Sequence, residues 1–284
     1  MIFRNRKTQI FVVFAFIIYA FNAVLILSNP QILENIERSL PQPIYLGRLA
    51  YSKLNNSQPP IKPAGSHTIL LIGDSMTDFL RGNEGILKTH LDPFYPNKKI
   101  NILNYGFGSS NILSVSDRLT KDTSYMGTNF PSILSQNFDL IIVESFGNNP
   151  LSEYSMEEGL KKNNEKLDEI VKTIKQSKPQ VYIVFLATIA PTKAKFGEGV
   201  VKLSQEERFK WGLEREKYIE NHIKYAKSHN IPVIDIYHAT KNKNNDGDIN
   251  FLRKDDFIHP SAEGVQKIYR EMAQFIVQNR ILPF

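Results

Sequence analysis

The sequence contains no cysteine among its 284 residues. This absence excludes disulfide bonds, catalysis by a thiol, thiolate metal sites and a lipid anchor attached to cysteine. The C-terminal part of the chain also lacks a strong excess of charge, because the first 66 residues hold seven Lys and Arg against two Glu and account for most of the net charge of +6. A protein that binds nucleic acid presents clustered Lys and Arg on its folded domain. We therefore expect no nucleic-acid partner.

One long apolar run lies near the N-terminus, from Ile10 to Leu27. Its eighteen residues carry no charge and would span roughly 27 Å as a helix, close to the ~30 Å hydrocarbon core of a bilayer. Three basic residues precede the run, whereas the first dozen residues after it contain two Glu and one Arg. This asymmetry predicts a cytoplasmic N-terminus. We predict a cytoplasmic stub and transmembrane anchor over residues 1–28, with the rest of the chain extracytoplasmic. A cleaved signal peptide is the alternative, although the run is longer than usual for one.

Six prolines interrupt residues 29–66, which we interpret as a stem that holds the following domain away from the membrane. In residues 67–284, which we interpret as one domain, short apolar runs alternate with longer amphipathic ones. The strand candidates are Thr68–Ile72, Ile100–Leu103, Leu140–Val143, Val181–Leu186 and Val233–Ile236. The helix candidates are Thr77–Leu91, Ile112–Leu119, Met156–Gln176, Gln205–Ser228 and Ala262–Gln278.

Five such strand–helix repeats predict an α/β fold, a three-layer α/β/α sandwich around a five-stranded parallel sheet. The strand candidates lack polar alternation, as strands buried on both faces do. Ligands of such sheets bind at the carboxyl ends of the strands. Small and polar residues follow the first three strand candidates at that edge, in Gly73-Asp74-Ser75, residues 104–110 and residues 146–150. We therefore expect the functional site there.

The residues at this edge include the parts of a serine nucleophile system. A serine hydroxyl attacks esters when a neighbouring base takes its proton, and a carboxylate orients that base. Ser75 supplies a hydroxyl, and Asp256 and His259 lie three residues apart just before the last helix candidate. Ser75 alone could equally be a helix N-cap. The spacing to His259 favours Asp256 over Asp255 as the acid.

The four segments, taken in this order, resemble the SGNH/GDSL hydrolase family, whose fold is flavodoxin-like. The resemblance covers the chain from about His67 onward. It implies that Ser75 is the nucleophile, that Asp256 and His259 are the acid and base, and that the second and third segments form the oxyanion hole.

The two oxyanion segments depart from the family pattern. We assign the donors to Gly108 and Asn149, because Asn149 keeps the Gly-x-Asn spacing. Ser109 and Asn148 stay open as alternatives, since the family glycine falls on Ser109 when counted from Asn104. Pro150 occupies the place of the usual aspartate.

The predicted function is a membrane-anchored serine esterase or deacylase that acts on an ester of a lipid or a cell-envelope glycan. It needs no metal or organic cofactor. The alternatives are an O-acyltransferase of the same fold and a non-catalytic surface-binding domain. The other histidines show no ligand-like spacing and are expected at the surface or in loops: His67, His90, His222, His229 and His238. The oligomeric state is not predicted.

Overall fold

The computed structural model describes residues 65–283. The predicted membrane anchor and nearly all of the predicted stem lie outside these residues. Within them, no helix has the length and apolar character needed to cross a bilayer.

Strands and helices alternate along the described residues. The strands are β1 (Ser66–Gly73), β2 (Lys99–Gly106), β3 (Thr123–Tyr125), β4 (Thr128–Phe130), β5 (Leu140–Glu144), β6 (Tyr182–Ala187) and β7 (Val233–Asp235). The α-helices are α1 (Ser75–Asp78), α2 (Glu84–Leu91), α3 (Val115–Thr120), α4 (Met156–Ser177), α5 (Gln205–Ser228), α6 (Ile236–Ala239) and α7 (Ala262–Gln278). Short 3₁₀ turns lie at Ile112–Ser114, Ile133–Ser135 and Ile249–Phe251.

Five strands form one parallel sheet in the order β2-β1-β5-β6-β7, which confirms the predicted fold. The pairing of β1 with β2 runs from Ser66 opposite Lys99 to Gly73 opposite Gly106, so the two strands end level. β1 lies between β2 and β5. The loops that follow these three strands therefore meet at one edge of the sheet.

The sheet is covered on both faces, because β1 points alternate side chains into two apolar clusters. Ile69 and Leu71 pack with the buried face of α7, while Leu70 and Ile72 pack with residues of α3 and α4. Residues with 0 or 1 % exposure on both sides of one strand explain why the strand pattern is uniformly apolar. The result is the predicted three-layer arrangement.

Serine caps fix the starts of the three long helices. Ser155 and Ser261 each accept a hydrogen bond from a backbone amide in the first turn of α4 and α7. Ser204 and Glu207 form a reciprocal capping box at the start of α5. The predicted bounds of α5 and α7 agree with the structure because such signals lie in the sequence itself.

Two predictions about this region were wrong. The single helix predicted from Thr77 to Leu91 is two helices, separated by a turn around Gly82, whose φ of +82° lies outside the helical range. His67 and His222 are buried, with 2 % and 0 % exposure, rather than at the surface. His222 lies on the inner face of α5, where its ring stacks on Phe185 at 4.3 Å.

Candidate active site

Ser75 lies at the carboxyl end of β1, as the first residue of α1. Asp74 caps this helix, because its Oδ1 accepts a hydrogen bond from the Met76 amide at 2.8 Å. The chain turns tightly at Gly73, where an added Cβ would lie 2.0 Å from Thr77 Oγ1. The Ser75 hydroxyl is half-buried and forms no hydrogen bond with the residues that the structure describes. It is therefore available to a ligand.

Asp256 and His259 form a hydrogen-bonded pair in the loop before α7. Asp256 Oδ2 lies 2.8 Å from His259 Nδ1, and its Oδ1 accepts from the amides of Ile258 and His259 at 2.8 and 3.0 Å. The loop is closed by a hydrogen bond from the Arg253 amide to the His259 carbonyl at 2.9 Å. Asp255 is exposed and instead pairs with Arg253. The geometry thus distinguishes the two aspartates as the sequence spacing does.

The imidazole of His259 contacts Phe79, the residue that follows α1. The two rings are stacked, with centroids 4.0 Å apart and planes 12° from parallel. The Phe79 amide donates to the Ser75 carbonyl at 2.9 Å, one turn back along the chain. The structure therefore brings the His259 loop and the Ser75 turn together. Within residues 65–283 no hydrogen bond joins His259 to Ser75, and such bonds commonly tighten only when substrate binds.

Gly108 lies beside Ser75, but its amide is engaged. A Cβ on Gly108 would lie 3.8 Å from Ser75 Cβ. The Gly108 amide donates to Tyr125 Oη at 2.9 Å, and that hydroxyl donates to Asp78 Oδ2 at 2.7 Å. Ser109 has a left-handed φ of +58°, and its amide forms no hydrogen bond to any described residue. Ser109 is thus the unengaged alternative.

Asn149 lies beside Asp74, the residue that precedes Ser75. Its Nδ2 donates to Asp74 Oδ2 at 2.9 Å, so one of its two amide hydrogens is occupied. The neighbouring Asn148 is buried, and its Oδ1 has no hydrogen-bond partner within the described chain. The turn that carries both residues starts at Phe146, which has a left-handed φ of +53°.

Sequence analysis missed a buried ionisable group, Glu144, at the end of β5. Its Oε2 accepts from the Phe146 amide at 3.0 Å and from the Asp74 amide at 3.4 Å, and its Oε1 accepts from the Ser145 hydroxyl at 2.6 Å. Glu144 thereby joins the loops after β1 and β5. The available signal was an acid at the carboxyl end of an otherwise apolar strand.

A second missed residue is Arg118, in α3, which is 1 % exposed. Its Nη1 donates to the carbonyls of Gly73 and Tyr105, both at 2.9 Å, and its Nη2 donates to Ser114 Oγ at 2.9 Å. Burial lowers the pKa of Arg118 to about 10, although the negative charges of Asp74 and Glu144 raise it. The guanidinium therefore stays charged at neutral pH and ties the ends of β1 and β2 together.

Burial also shifts the two carboxyl groups under Ser75. Burial raises the pKa of Asp74, while hydrogen bonds from the Met76 amide and the Asn149 side chain lower it. Burial, followed by the negative charge of Asp74, raises the pKa of Glu144 well above its usual value. Because the negative charge of Asp74 opposes ionisation of Glu144, ionising both buried acids is unfavourable.

A cavity of about 720 Å³ lies next to the His259 loop. Its lining includes Phe79, Phe251, Arg253, Glu263, Gln266 and Arg270. Phe79 also stacks on His259, so one ring borders both the imidazole and the cavity. Among the described residues, no cluster of three or more His, Asp or Glu is arranged to hold a metal ion.

Comparisons with known proteins identify the family and the fold. Residues 71–267 match the model of the GDSL-like lipase/acylhydrolase family. The fold is similar to that of a lipase/acylhydrolase from Enterococcus faecalis, with 18 % identity, a TM-score of 0.55 and coverage of 77 % of this chain and 98 % of the other.

Two further solved structures share the fold. An acetylxylan esterase from Geobacillus stearothermophilus shows 16 % identity and a TM-score of 0.52, with coverage of 76 % of this chain and 96 % of the other. The acetyl xylan esterase AlAXEase shows 15 % identity and a TM-score of 0.52, with coverage of 72 % and 97 %. No curated protein sequence matches the chain. The family match spans more than half of the sequence, and this chain therefore belongs to the GDSL-like lipase/acylhydrolase family and is a carboxylic ester hydrolase.

Proposed function

We propose that this chain is a membrane-anchored, extracytoplasmic serine esterase that removes acyl groups from an ester of a cell-envelope glycan or a lipid. One observation carries the catalytic part of the proposal. The His259 imidazole is hydrogen-bonded to Asp256 and stacked on Phe79, one helical turn from the half-buried hydroxyl of Ser75. The anchor rests on the uncharged run from Ile10 to Leu27.

The reaction follows from these positions. Ser75 Oγ attacks the ester carbonyl and passes its proton to His259 Nε2, while Asp256 stabilises the imidazolium that forms. The tetrahedral intermediate collapses as His259 returns this proton to the departing alcohol oxygen, which leaves an acyl-serine. A water molecule then repeats both steps, releasing the carboxylic acid and restoring the Ser75 hydroxyl.

The oxyanion needs donors in the loops after β2 and β5. Asn149 retains a second amide hydrogen after donating to Asp74, and this hydrogen is our proposed side-chain donor. In the other loop, the Gly108 amide would first have to leave Tyr125, whereas the Ser109 amide is unengaged. We therefore propose the Ser109 amide as the main-chain donor, with Gly108 as its alternative.

The cavity beside His259 supports a glycan as the alcohol component. His259 must protonate the departing oxygen, so the alcohol lies on the imidazole side of Ser75. The lining of the cavity includes the apolar side chains of Phe79 and Phe251 and the polar groups of Gln266, Glu263 and Arg270. Sugars combine apolar ring faces with hydroxyl groups and suit such a lining. Two proteins of similar fold are named as acetylxylan esterases.

The test of the nucleophile uses the full-length protein in membranes, p-nitrophenyl acetate and a fluorophosphonate probe. Ser75→Ala should abolish probe labelling and lower kcat by several orders of magnitude, on the order of 10³-fold or more. Ser135→Ala, at an exposed serine, is the matched control. Undiminished turnover in Ser75→Ala would reject the assignment.

Mass spectrometry of envelope glycans should show fewer acyl groups when the enzyme is present, and a gain would instead identify an acyltransferase.

The absence of cysteine allows a direct test of the location. Ser135→Cys and Asn5→Cys each introduce a single thiol into the chain. In intact spheroplasts, a membrane-impermeant maleimide should label Ser135→Cys and should reach Asn5→Cys only after lysis. Labelling of both positions in intact spheroplasts would contradict the proposed orientation.

A further inference from the structure

The mechanism above leaves two buried acids beneath Ser75 without a role. Asp74 and Glu144 have 0 % and 1 % exposure, and they lie at the carboxyl ends of the neighbouring strands β1 and β5. The Asp74 amide donates to Glu144 Oε2 at 3.4 Å, so the two acids lie in adjacent turns, and burial, followed by the negative charge of Asp74, raises the pKa of Glu144. Two buried carboxyl groups this close together do not readily ionise at the same time.

We propose that Asp74 and Glu144 share one proton, that Glu144 is the protonated partner, and that Glu144 is a positioning residue for ester hydrolysis. The inference rests on the proposed nucleophile, since it concerns how the loops around Ser75 are held. Asp74, as the anion, accepts from the Asn149 side chain and the Met76 amide. Glu144 keeps its own contacts when protonated, because Oε2 still accepts from the Phe146 and Asp74 amides while the hydroxyl of the acid is able to donate.

The charges around the pair support a single proton. Arg118 is a buried cation that interacts with both acids, since the charges of Asp74 and Glu144 both raise its pKa. It donates to main-chain carbonyls and serine hydroxyls rather than to either carboxylate. One anion balances this one cation, whereas two anions would leave a buried negative charge without compensation.

Other ionisable groups near the pair have acidic partners of their own. Arg215, a buried cation in α5, pairs with Glu214 at 3.0 Å, and His259 pairs with Asp256 at 2.8 Å. His222, which bonds the carbonyl of Val143 one residue before Glu144, is neutral because burial lowers its pKa to about 3. Loss of the shared proton from Glu144 at alkaline pH would therefore place a second negative charge in the site and disturb it.

The position of Glu144 explains how it acts. It accepts from the amides of Phe146 and Asp74, so one carboxyl group holds the turn that carries Asn149 and the turn that carries Ser75. Asp74 in turn orients the Asn149 side chain. Loss of Glu144 should misplace these donors and lower kcat more than it raises KM.

The test compares Glu144→Gln with Glu144→Leu. The glutamine amide has the shape of a neutral carboxylic acid and can donate to Asp74 while accepting from Phe146, so kcat should stay within about threefold of wild type. Leucine leaves buried donors unpaired, and kcat should fall by about 10- to 100-fold. A wild-type loss of kcat at alkaline pH should be absent in Glu144→Gln, because the amide has no proton to lose.

Infrared spectroscopy gives a second readout that holds even if Glu144→Leu does not fold. The carbonyl band of a protonated carboxylic acid should be present in wild type at neutral pH and absent in Glu144→Gln. The proposal is overturned if Glu144→Gln loses as much kcat as Glu144→Leu, if both proteins share the same alkaline loss, or if the infrared band is missing from wild type. Failure of the nucleophile assignment would appear separately, as full activity in Ser75→Ala.

Discussion

The imidazole of His259 lies face to face with the ring of Phe79, four residues after Ser75, with 4.0 Å between the ring centroids. This contact links the C-terminal loop to the turn after the first strand, across 180 residues of sequence. Arg253, in the same loop, also lies over the Phe79 ring, with its Cζ 5.2 Å from the ring centroid. Ring contacts of Phe79 therefore position the imidazole from this side.

Replacement of Phe79 by leucine should therefore lower kcat while the protein stays folded. An aromatic pair contributes on the order of 1 kcal/mol beyond its burial, which corresponds to a loss of roughly fivefold to tenfold. Phe79→Tyr keeps the ring and should retain nearly full activity. Steady-state kinetics on p-nitrophenyl acetate measure both variants, and equal activity of Phe79→Leu and wild type would show that the stack has no positioning role.

The two adjacent aspartates should behave differently. Asp256→Asn should reduce kcat by about 10³- to 10⁴-fold, because the amide no longer favours the required tautomer and charge of His259. Asp255→Asn is the matched control and should have little effect, since Asp255 is exposed and pairs with Arg253. Comparable losses in both variants would contradict the assignment of the acid.

Tyr125 offers a test of the main-chain oxyanion donor. Tyr125→Phe removes the hydroxyl that holds the Gly108 amide and Asp78. If Ser109 supplies the donor, kcat should change little, and stability should fall by about 1 kcal/mol for the lost hydrogen bonds. Denaturant unfolding and kinetics give the two quantities. A clear rise in kcat would instead show that Tyr125 competes with the oxyanion for the Gly108 amide.

His222 should make stability depend on pH in the acid range. Burial lowers its pKa from an ordinary 6.5 to about 3, so the unfolded chain takes up a proton below pH 6.5 while the folded chain does not. The contribution of His222 to the free energy of unfolding is fully present above pH 6.5. It falls by roughly 1.4 kcal/mol per pH unit as the pH drops towards 3. Urea unfolding of His222→Gln should show a correspondingly smaller slope, and an unchanged slope would contradict the burial of a neutral imidazole.

The cavity beside His259 should matter for sugar esters and not for small aryl esters. Arg270 is exposed and lines this cavity, and Arg270→Ala should lower kcat/KM for acetylated oligosaccharides by about fivefold through loss of a hydrogen bond to the sugar. Activity on p-nitrophenyl acetate should be unchanged. Lys172→Ala, at an exposed position on α4, is the control. Equal losses on both substrates would place the residue outside the alcohol-binding region.

The sheet was predictable from sequence because its strands are apolar on both faces, as the first four residues of β5 illustrate. The short hairpin of β3 and β4 was not, because its three-residue strands are half-exposed and mostly polar. Such strands form through pairing and through contacts such as the stack of Tyr125 on Phe107 at 4.6 Å. Those contacts depend on tertiary structure and leave no periodic signal.

The pairing of Asp256 with His259 was predictable because a spacing of three residues within one loop keeps the side chains together. The choice between Gly108 and Ser109 was not, because it depends on which amide is already bonded. Tyr125, seventeen residues away, accepts the hydrogen bond from the Gly108 amide, and the sequence does not show this contact. The carboxyl group of Glu144 was visible at a strand end, but its burial against Asp74 depends on the order of strands in the sheet.

Arg118 carries a consequence for protein engineering. Its guanidinium clamps the carbonyls of Gly73 and Tyr105, which belong to neighbouring strands. A chimera that exchanges the segment after β2 with that of a relative would replace Ser110 and Ser114, whose hydroxyls accept hydrogen bonds from Arg118 Nη2. Loop grafting in this enzyme should therefore move α3 together with that segment, as one transplantable cassette.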